Sequence, residues 1–286
     1  MWRVRKWAGA ELEPGARLGP YRLEEELGVG GMGIVFRAVR EPDGEVVALK
    51  VLKRQISDDD VQQRRFAHEA RAASEVSHPH LVPILEAGEV EGRHYLAVKY
   101  IQGSTLADRI RDEGPLPLDD VCSLVSDIAG GLDALHSSGL VHRDVKPSNI
   151  MLDANGDALL TDFGLSRGRA YTVLTRPGQV MGTLDYLAPE LIRGKEATPA
   201  SDIYALGCVV FEAIAGQPPF AHKSAIEVGV AHLEEEPPDP LASRPGLPSR
   251  VSWAAKQALA KDPAERPPTA TTYANLIRLA ARAGSR

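Results

Sequence analysis

An α+β fold in two lobes, strand-rich first and helical after, is predicted by three observations. From Tyr21 to about Ile101, short runs rich in β-branched residues alternate with glycines and turn signals. After Gly103, apolar residues recur at helical spacing almost to the end of the chain. The change happens once, near Ile101–Thr105, so strands and helices are segregated rather than interleaved. The 286 residues are enough for one large core or two modest ones.

The elements follow in order. Residues 1–20 read as a flexible N-terminal tail, basic and Trp-bearing but without the apolar stretch of a secretory signal. Tyr21–Glu26, Ile34–Val39 and Glu45–Leu52 read as strands, the last two joined by the turn signal Pro42-Asp43-Gly44. Ser57 followed by Asp58, Asp59 and Asp60 marks a helix N-terminus, where acidic side chains meet the positive end of the dipole. In that helix Phe66, Ala70, Ala73 and Val76 form the inward stripe, and Glu69 lies on it. A carboxylate facing inward needs a cationic partner. Strands return at Leu81–Glu86 and His94–Ile101.

Val121, Leu124, Val125, Ile128, Leu132 and Leu135 then mark a long helix that Ser137-Ser138-Gly139 ends. Further helices are expected over about Ala200–Ala215, Ser224–Glu234, Val251–Ala260 and Thr269–Ala283. The five prolines of Glu235–Arg250 read as an ordered loop between helices. The expected organisation is a single domain over 21–280, its halves being 21–101 and 102–280, with 281–286 as a C-terminal tail.

Composition narrows the function classes. A formal net charge of −6 argues against a dedicated nucleic-acid binder. The most apolar run, Ala205–Ala215, is about half the roughly 20 residues a membrane span needs and carries Glu212. Cys122 and Cys208 stand alone, which suits a reducing cytoplasm rather than a disulfide scaffold.

The densest chemistry is His142-Arg143-Asp144-Val145-Lys146-Pro147-Ser148-Asn149. A carboxylate, an ammonium and a carboxamide within six positions are costly to crowd together unless a charged, metal-bearing ligand shares the site. Ile150-Met151-Leu152 and Ala158-Leu159-Leu160 flank a segment containing Asn155-Gly156, a strong hairpin signal. Folding that hairpin brings Asn149, before it, beside Asp162, after it, so that their oxygens can converge on one hard cation. Asp144 can then accept a proton from an incoming hydroxyl, and Lys146 can offset charge on a transferring phosphoryl group. Gly28-Val29-Gly30-Gly31-Met32-Gly33 alone could also mark a dinucleotide fold, but Ile34-Val35-Phe36 continues as a strand rather than a helix. The run therefore sits at a hairpin tip whose backbone can fold over phosphates.

In order and spacing these motifs resemble the eukaryotic-like protein kinases, and Gly-Gly-Met-Gly with Asp-Val-Lys-Pro-Ser-Asn is most similar to bacterial serine/threonine kinases. The resemblance runs from about Tyr21 to Ala280 and implies the two-lobed protein kinase fold. It implies that Lys50, in Val47-Ala48-Leu49-Lys50, binds the α- and β-phosphates of ATP and pairs with Glu69. Asp144 becomes the base, with Lys146 beside it, and Asn149 and Asp162 the ligands of Mg²⁺ or, in its place, Mn²⁺. Val35, Ala48 and Met151 would sandwich the adenine, which the Lys99 carbonyl and Ile101 N–H would bind, and Lys99 departs from the acidic residue many relatives carry.

Thr183 would shape the substrate site, and Ala188-Pro189-Glu190 would close an activation segment, with Glu190 pairing Arg266. Asp202 looks like the family's buried helix aspartate that braces the catalytic loop. Lys146-Pro147 favours protein Ser/Thr hydroxyls as acceptors. An arginine beside a catalytic base needs an anion, so Thr172 or Thr175, once phosphorylated, is expected to dock on Arg143. A second copy of the chain would be the partner for that autophosphorylation. Related chains often continue into a membrane span and sensor, so a soluble kinase, or one whose sensor lies elsewhere, is expected. A pseudokinase scaffold is the alternative, and it gains nothing from a chain in which Lys50, Glu69, Asp144, Asn149 and Asp162 are all present. A small-molecule phosphotransferase would not need Lys146-Pro147, Thr183 and Ala188-Pro189-Glu190.

Overall fold

A computed structural model of the chain describes residues 12–30, 33–52, 69–162, 184–221 and 223–283. They divide into two compact units, one built from the residues up to Ser74 with Pro83–Tyr100, the other from Glu75–Val82 with Ile101 onward.

The first unit is a six-stranded antiparallel sheet. Its strands are β1 (Arg17–Leu18), β2 (Tyr21–Val29), β3 (Gly33–Arg40), β4 (Glu45–Leu52), β5 (Ile84–Val90) and β6 (Arg93–Lys99), in the order β1-β2-β3-β4-β6-β5. Alternation decides the faces. Val47, Leu49 and Val51 of β4 join Tyr21, Leu23, Phe36 and Tyr95 in the core, whereas Ala48 and Lys50 fall on the opposite face. A helix, α1, is described over 69–74, with Ala70 and Ala73 buried as its inward stripe requires. Phe66 and the expected N-cap at Ser57 lie outside the described residues.

Two differences from the sequence reading have tertiary causes. Residues 12–20 are not a tail: β1 pairs with β2, Leu23 N–H donates to Ala16 O (2.9 Å), and Leu12 and Ala16 pack on the core. Pairing covers the backbone that β2 would otherwise expose along the sheet edge. The strand expected at Leu81–Glu86 starts only at Ile84, because Pro83 has no N–H to give a ladder and Leu81 bridges instead to Leu160.

The second unit is mostly helical. It contains β7 (Gly103–Thr105), α2 (Leu106–Glu113), α3 (Leu118–Ser137), β8 (Ile150–Asp153), β9 (Ala158–Leu160), α4 (Pro189–Ile192), α5 (Pro199–Ala215), α6 (Ala225–Glu234), α7 (Pro240–Ser243), α8 (Ser249–Gln257) and α9 (Ala270–Ala283). All six apolar positions read from the α3 pattern are buried. α5 is buried almost all round and is the central post of the unit. It starts at a Thr198/Ser201 capping box with Pro199 in the first turn, and Gly216, at φ +81°, ends it. The proline-rich stretch is ordered, as read, with Asp239 capping α7. Helix α9 runs past the expected domain end at 280, and Ala281 is buried, so the C-terminal tail is shorter than expected. Among the described residues no helix is long and apolar enough to cross a membrane.

The three strands β7, β8 and β9 form a separate antiparallel sheet. The β8–β9 hairpin pairs Ile150 with Leu160 and Leu152 with Ala158. Its turn is a three-residue loop in which Gly156 N–H donates to Asp153 O (3.0 Å) and Gly156 takes φ +88°. Of the residues in this turn only Gly156 has a positive φ, and Asn155 does not.

Candidate active site

The octet His142–Asn149 lies between α3 and β8, and its backbone is strained at one point: Arg143 has φ +70°. A non-glycine residue there costs of order 1–3 kcal/mol, so something must over-determine it. The Asp202 carboxylate does so from the first turn of α5. Its Oδ2 accepts the His142 N–H and its Oδ1 the Arg143 N–H, both at 2.8 Å. His136 Nε2 lies 2.8 Å from Oδ2 and completes the set. Asp202 is 1% exposed, and these three donors, with the helix N-terminus, stand in for the water it has lost. Asp202→Ala is therefore expected to release Arg143 from its left-handed conformation, seen as faster amide exchange at His142 and Arg143.

His142 is fully buried and holds one tautomer. Its Nδ1 accepts the Asp144 N–H (3.2 Å), so Nε2 carries the proton and donates to Thr161 O (3.0 Å). Burial pushes this imidazole down, against the pull of Asp202 and Asp144, and keeps it neutral. One side chain thus spans the two strands of backbone that carry Asp144 and Asp162.

Asp144 receives two donors on one oxygen. Lys146 Nζ lies 2.8 Å from Oδ2 and Asn149 Nδ2 2.9 Å from it, and Asn149 Nδ2 also donates to the Asp144 carbonyl (2.8 Å). These bonds leave Oδ1 of Asp144 out of the cluster, and both Asp144 and Lys146 remain partly exposed. A single 3-10 turn, Pro147–Asn149, brings Asn149 back under Asp144. The hairpin then returns the chain. Thr161 N–H donates to Asn149 O (3.0 Å), and Asp162, at φ +64°, follows. Asn149 and Asp162 therefore stand at the same end of the hairpin.

Because the Asn149 amide nitrogen is committed to Asp144, its oxygen is the atom it can offer a cation. Asn149 and Asp162 thus supply hard oxygens suited to a divalent ion that brings its own phosphate ligands. No group of three or more His, Cys, Asp or Glu side chains that could hold a metal occurs among the described residues.

Of the other site residues read from sequence, Lys50 and Val35 face each other across β4 and β3, and Ala48 is two residues from Lys50 on the same face. Glu69 belongs to the same unit, on α1. Gly28, Val29, Gly30 and Gly33 are at the β2–β3 connection, where Gly30 N–H donates to Gly33 O (2.8 Å). Lys99 ends β6 and is exposed, its N–H held by Pro83 O (2.9 Å). Ile101 and Met151 belong to the second unit, Met151 in β8 opposite Thr105. Gly31, Met32, Thr172, Thr175 and Thr183 lie outside the described residues.

Glu190 and Arg266, singled out 76 positions apart, form a buried bidentate pair with both contacts at 2.8 Å. Ser201 Oγ donates to the same carboxylate (2.7 Å), and Arg266 also donates to Ala200 O, Ala260 O and Lys261 O.

Sequence reading missed two supports. Tyr186 O–H donates to Glu212 Oε2 (2.6 Å), tying the turn before α4 to α5. Burial pushes the Glu212 carboxyl up, and the apolar run around it carried only the hint that an acid there needs a partner. Gly103 is the second: a Cβ there would come within 1.8 Å of Leu152 O, so β7 can lie on β8 only as glycine. Gly103→Ala should lower stability by about 1–3 kcal/mol, the range for overpacking, measurable by thermal denaturation.

Residues 21–275 match the protein kinase domain family. The chain belongs to that family. The chain is 40% identical over 253 residues to the serine/threonine-protein kinase PknD of Mycobacterium tuberculosis, a match covering 88% of this chain and 38% of PknD. It is 39% identical over 257 residues to PknE of the same organism, covering 90% of this chain and 45% of PknE. The chain thus spans less than half the length of these relatives. Among solved structures, the kinase domain of M. tuberculosis PknI superposes with a TM-score of 0.77 at 30% identity, covering 95% of this chain and all of that one. The chain therefore has the protein kinase fold, with a strand-rich unit and a helical unit, as the segregation of its elements predicts. ATP and a divalent metal are the family's common requirements.

Proposed function

We propose that this chain is an active serine/threonine protein kinase that transfers the γ-phosphoryl group of Mg·ATP to Ser or Thr hydroxyls of proteins. The observation that carries the reading is the Asp144–Lys146–Asn149 cluster, with one Asp144 oxygen held by both partners and the other left out of the cluster. Asp144 accepts the hydroxyl proton and aims the oxygen in line, Lys146 offsets charge on the moving phosphoryl group, and Lys50, paired with Glu69, holds the α- and β-phosphates. Mg²⁺ at Asn149 and Asp162, with Mn²⁺ as substitute, would neutralise the β- and γ-phosphate oxygens. The glycine run 28–33 covers the phosphates, Val35, Ala48 and Met151 flank the adenine, and the Lys99 carbonyl and Ile101 N–H bind its edge.

Thr183 belongs to the peptide platform, and Thr172 and Thr175 are the phosphorylation sites that dock on Arg143. A second copy serves as substrate for that step. The domain that does this extends from β1 to the end of α9, and it works in the cytoplasm. The reading is tested by incubating the chain with labelled ATP, a mixture of candidate proteins, and either Mg²⁺, Mn²⁺ or a chelator. Label on Ser and Thr, lost with chelator, is expected. Turnover unaffected by chelation, or confined to a small alcohol, would refute it. Thr172→Ala/Thr175→Ala should lower turnover relative to phosphorylated wild type, whereas full activity in that variant without phosphate excludes Arg143 as a phosphate sensor.

A further inference from the structure

Residues 80–82 lie along β9 as a short additional parallel strand. Leu160 N–H donates to His80 O and Val82 N–H to Leu160 O, both at 2.9 Å, and Leu81 bridges Leu160. The strap can approach α3 because positions 130 and 131 are glycines: a Cβ on Gly131 would meet His80 O at 3.0 Å, and one on Gly130 would meet His78 Cε1 at 2.9 Å.

The His80 ring is fixed on both sides. Its Nδ1 lies 2.9 Å from Ala158 O, which can only accept, so Nδ1 carries a proton. In the neutral ring Nε2 is then a lone pair, and it faces Asp127 Oδ1 at 3.4 Å. The other Asp127 oxygen accepts the Ala158 N–H (3.2 Å). With the ring neutral and the carboxylate ionised, two lone pairs oppose each other. One added proton turns that opposition into a charge-assisted bond joining the strap, α3 and β9.

We propose that His80 and Asp127 form a proton-dependent strap on β9, and that both are positioning residues for Asp162, which follows Leu160 by two residues. The strap tightens as pH falls, because the added proton gives the closed form a bond that the open form lacks. The charged and titratable groups facing the pair are Asp157, in the turn of the hairpin, and His78, whose ring centroid is 5.6 Å from that of His80. Burial pushes the Asp127 carboxyl up and Asp157 adds to the push, while the Ala158 N–H and His80 oppose it. Burial pushes His78 down, and His80 adds to that.

Amide exchange of Val82 and Leu160 in the full chain, corrected for intrinsic rates, tests the strap without any turnover. Protection should rise about three- to fivefold from pH 8 to pH 6, the scale of one partly exposed ion pair. Asp127→Asn should be protected equally at both pH values, since its amide oxygen can accept from Ala158 while its NH₂ donates to Nε2 without an added proton. A flat wild-type profile, or the same slope in Asp127→Asn, overturns the strap. The consequence for Asp162 rests on the proposed kinase activity. There KM for Mg·ATP should rise with pH in the wild type and stay flat in Asp127→Asn, and an identical slope in both overturns the positioning role. Absence of phosphoryl transfer with the exchange pattern intact would instead count against the kinase reading.

Discussion

Asp144→Asn is expected to lower kcat for peptide phosphorylation by about 10²–10⁴-fold, the range for losing a positioned general base. KM for ATP should hardly move, because none of the nucleotide's proposed contacts is removed. The substitution is nearly isosteric, and the cluster around it can survive. The carboxamide oxygen can still accept from Lys146 Nζ and Asn149 Nδ2, the two donors now on Oδ2. What disappears is the basicity of the other oxygen, the one pointing out of the cluster. Steady-state kinetics with a peptide substrate, beside a thermal melt to show the fold intact, separates this outcome from unfolding. A variant with kcat within a few-fold of wild type would remove Asp144 from the chemistry.

The largest stability effect is expected at the Glu190–Arg266 pair. Replacing Arg266 by Met should cost about 3–5 kcal/mol, the usual penalty for leaving one member of a buried ion pair alone. That is a large fraction of the 5–15 kcal/mol that typical domains have in total. Arg266 also satisfies the carbonyls of Ala200, Ala260 and Lys261 and stacks over Tyr204, so its loss loosens the start of α5 as well. Removing both charges together, Glu190→Leu with Arg266→Met, should cost less than the single change, which chemical denaturation can measure. The pair also sets an acid limit. Burial alone would push the Glu190 carboxyl up, but its bonds to Arg266 and Ser201 outweigh that and hold it below the ordinary 4.5. A carboxyl depressed in the folded state contributes stability that is complete above its unfolded value and lost as pH falls through its folded one. The wild type should therefore lose stability below about pH 4.5, and an Arg266→Met variant should lose less over the same interval.

Much of the fold is legible in the sequence where one periodicity dominates. The apolar stripe of α3 and the β8–β9 hairpin are written in local spacing, and Asp202 stands out as an acid opening a mostly apolar helix. The alternation of β4 likewise puts Lys50 and Ala48 on the face away from the core. What local pattern does not carry is which distant backbone an edge will find. Residues 12–20 look like tail because nothing in them announces a partner, yet their partner is the edge of β2. Leu81 reads as the start of β5, but the ladder it joins belongs to β9, 79 residues on. Tyr186 and Glu212 meet only because the turn before α4 folds onto α5, and Gly103 is required by the carbonyl of a strand nearly 50 residues later. Each of these depends on tertiary approach, which neither propensity nor spacing encodes.

The 76 positions between Glu190 and Arg266 also bear on how the chain is made. At ribosomal rates of roughly 5–20 residues per second, Glu190 is synthesised about 4 to 15 s before its arginine. During that interval α4 and α5 can form, but the carboxylate they are to enclose has no counter-ion and keeps its hydration. Until Arg266 is made, the helical unit can enclose that carboxylate only as a lone buried charge.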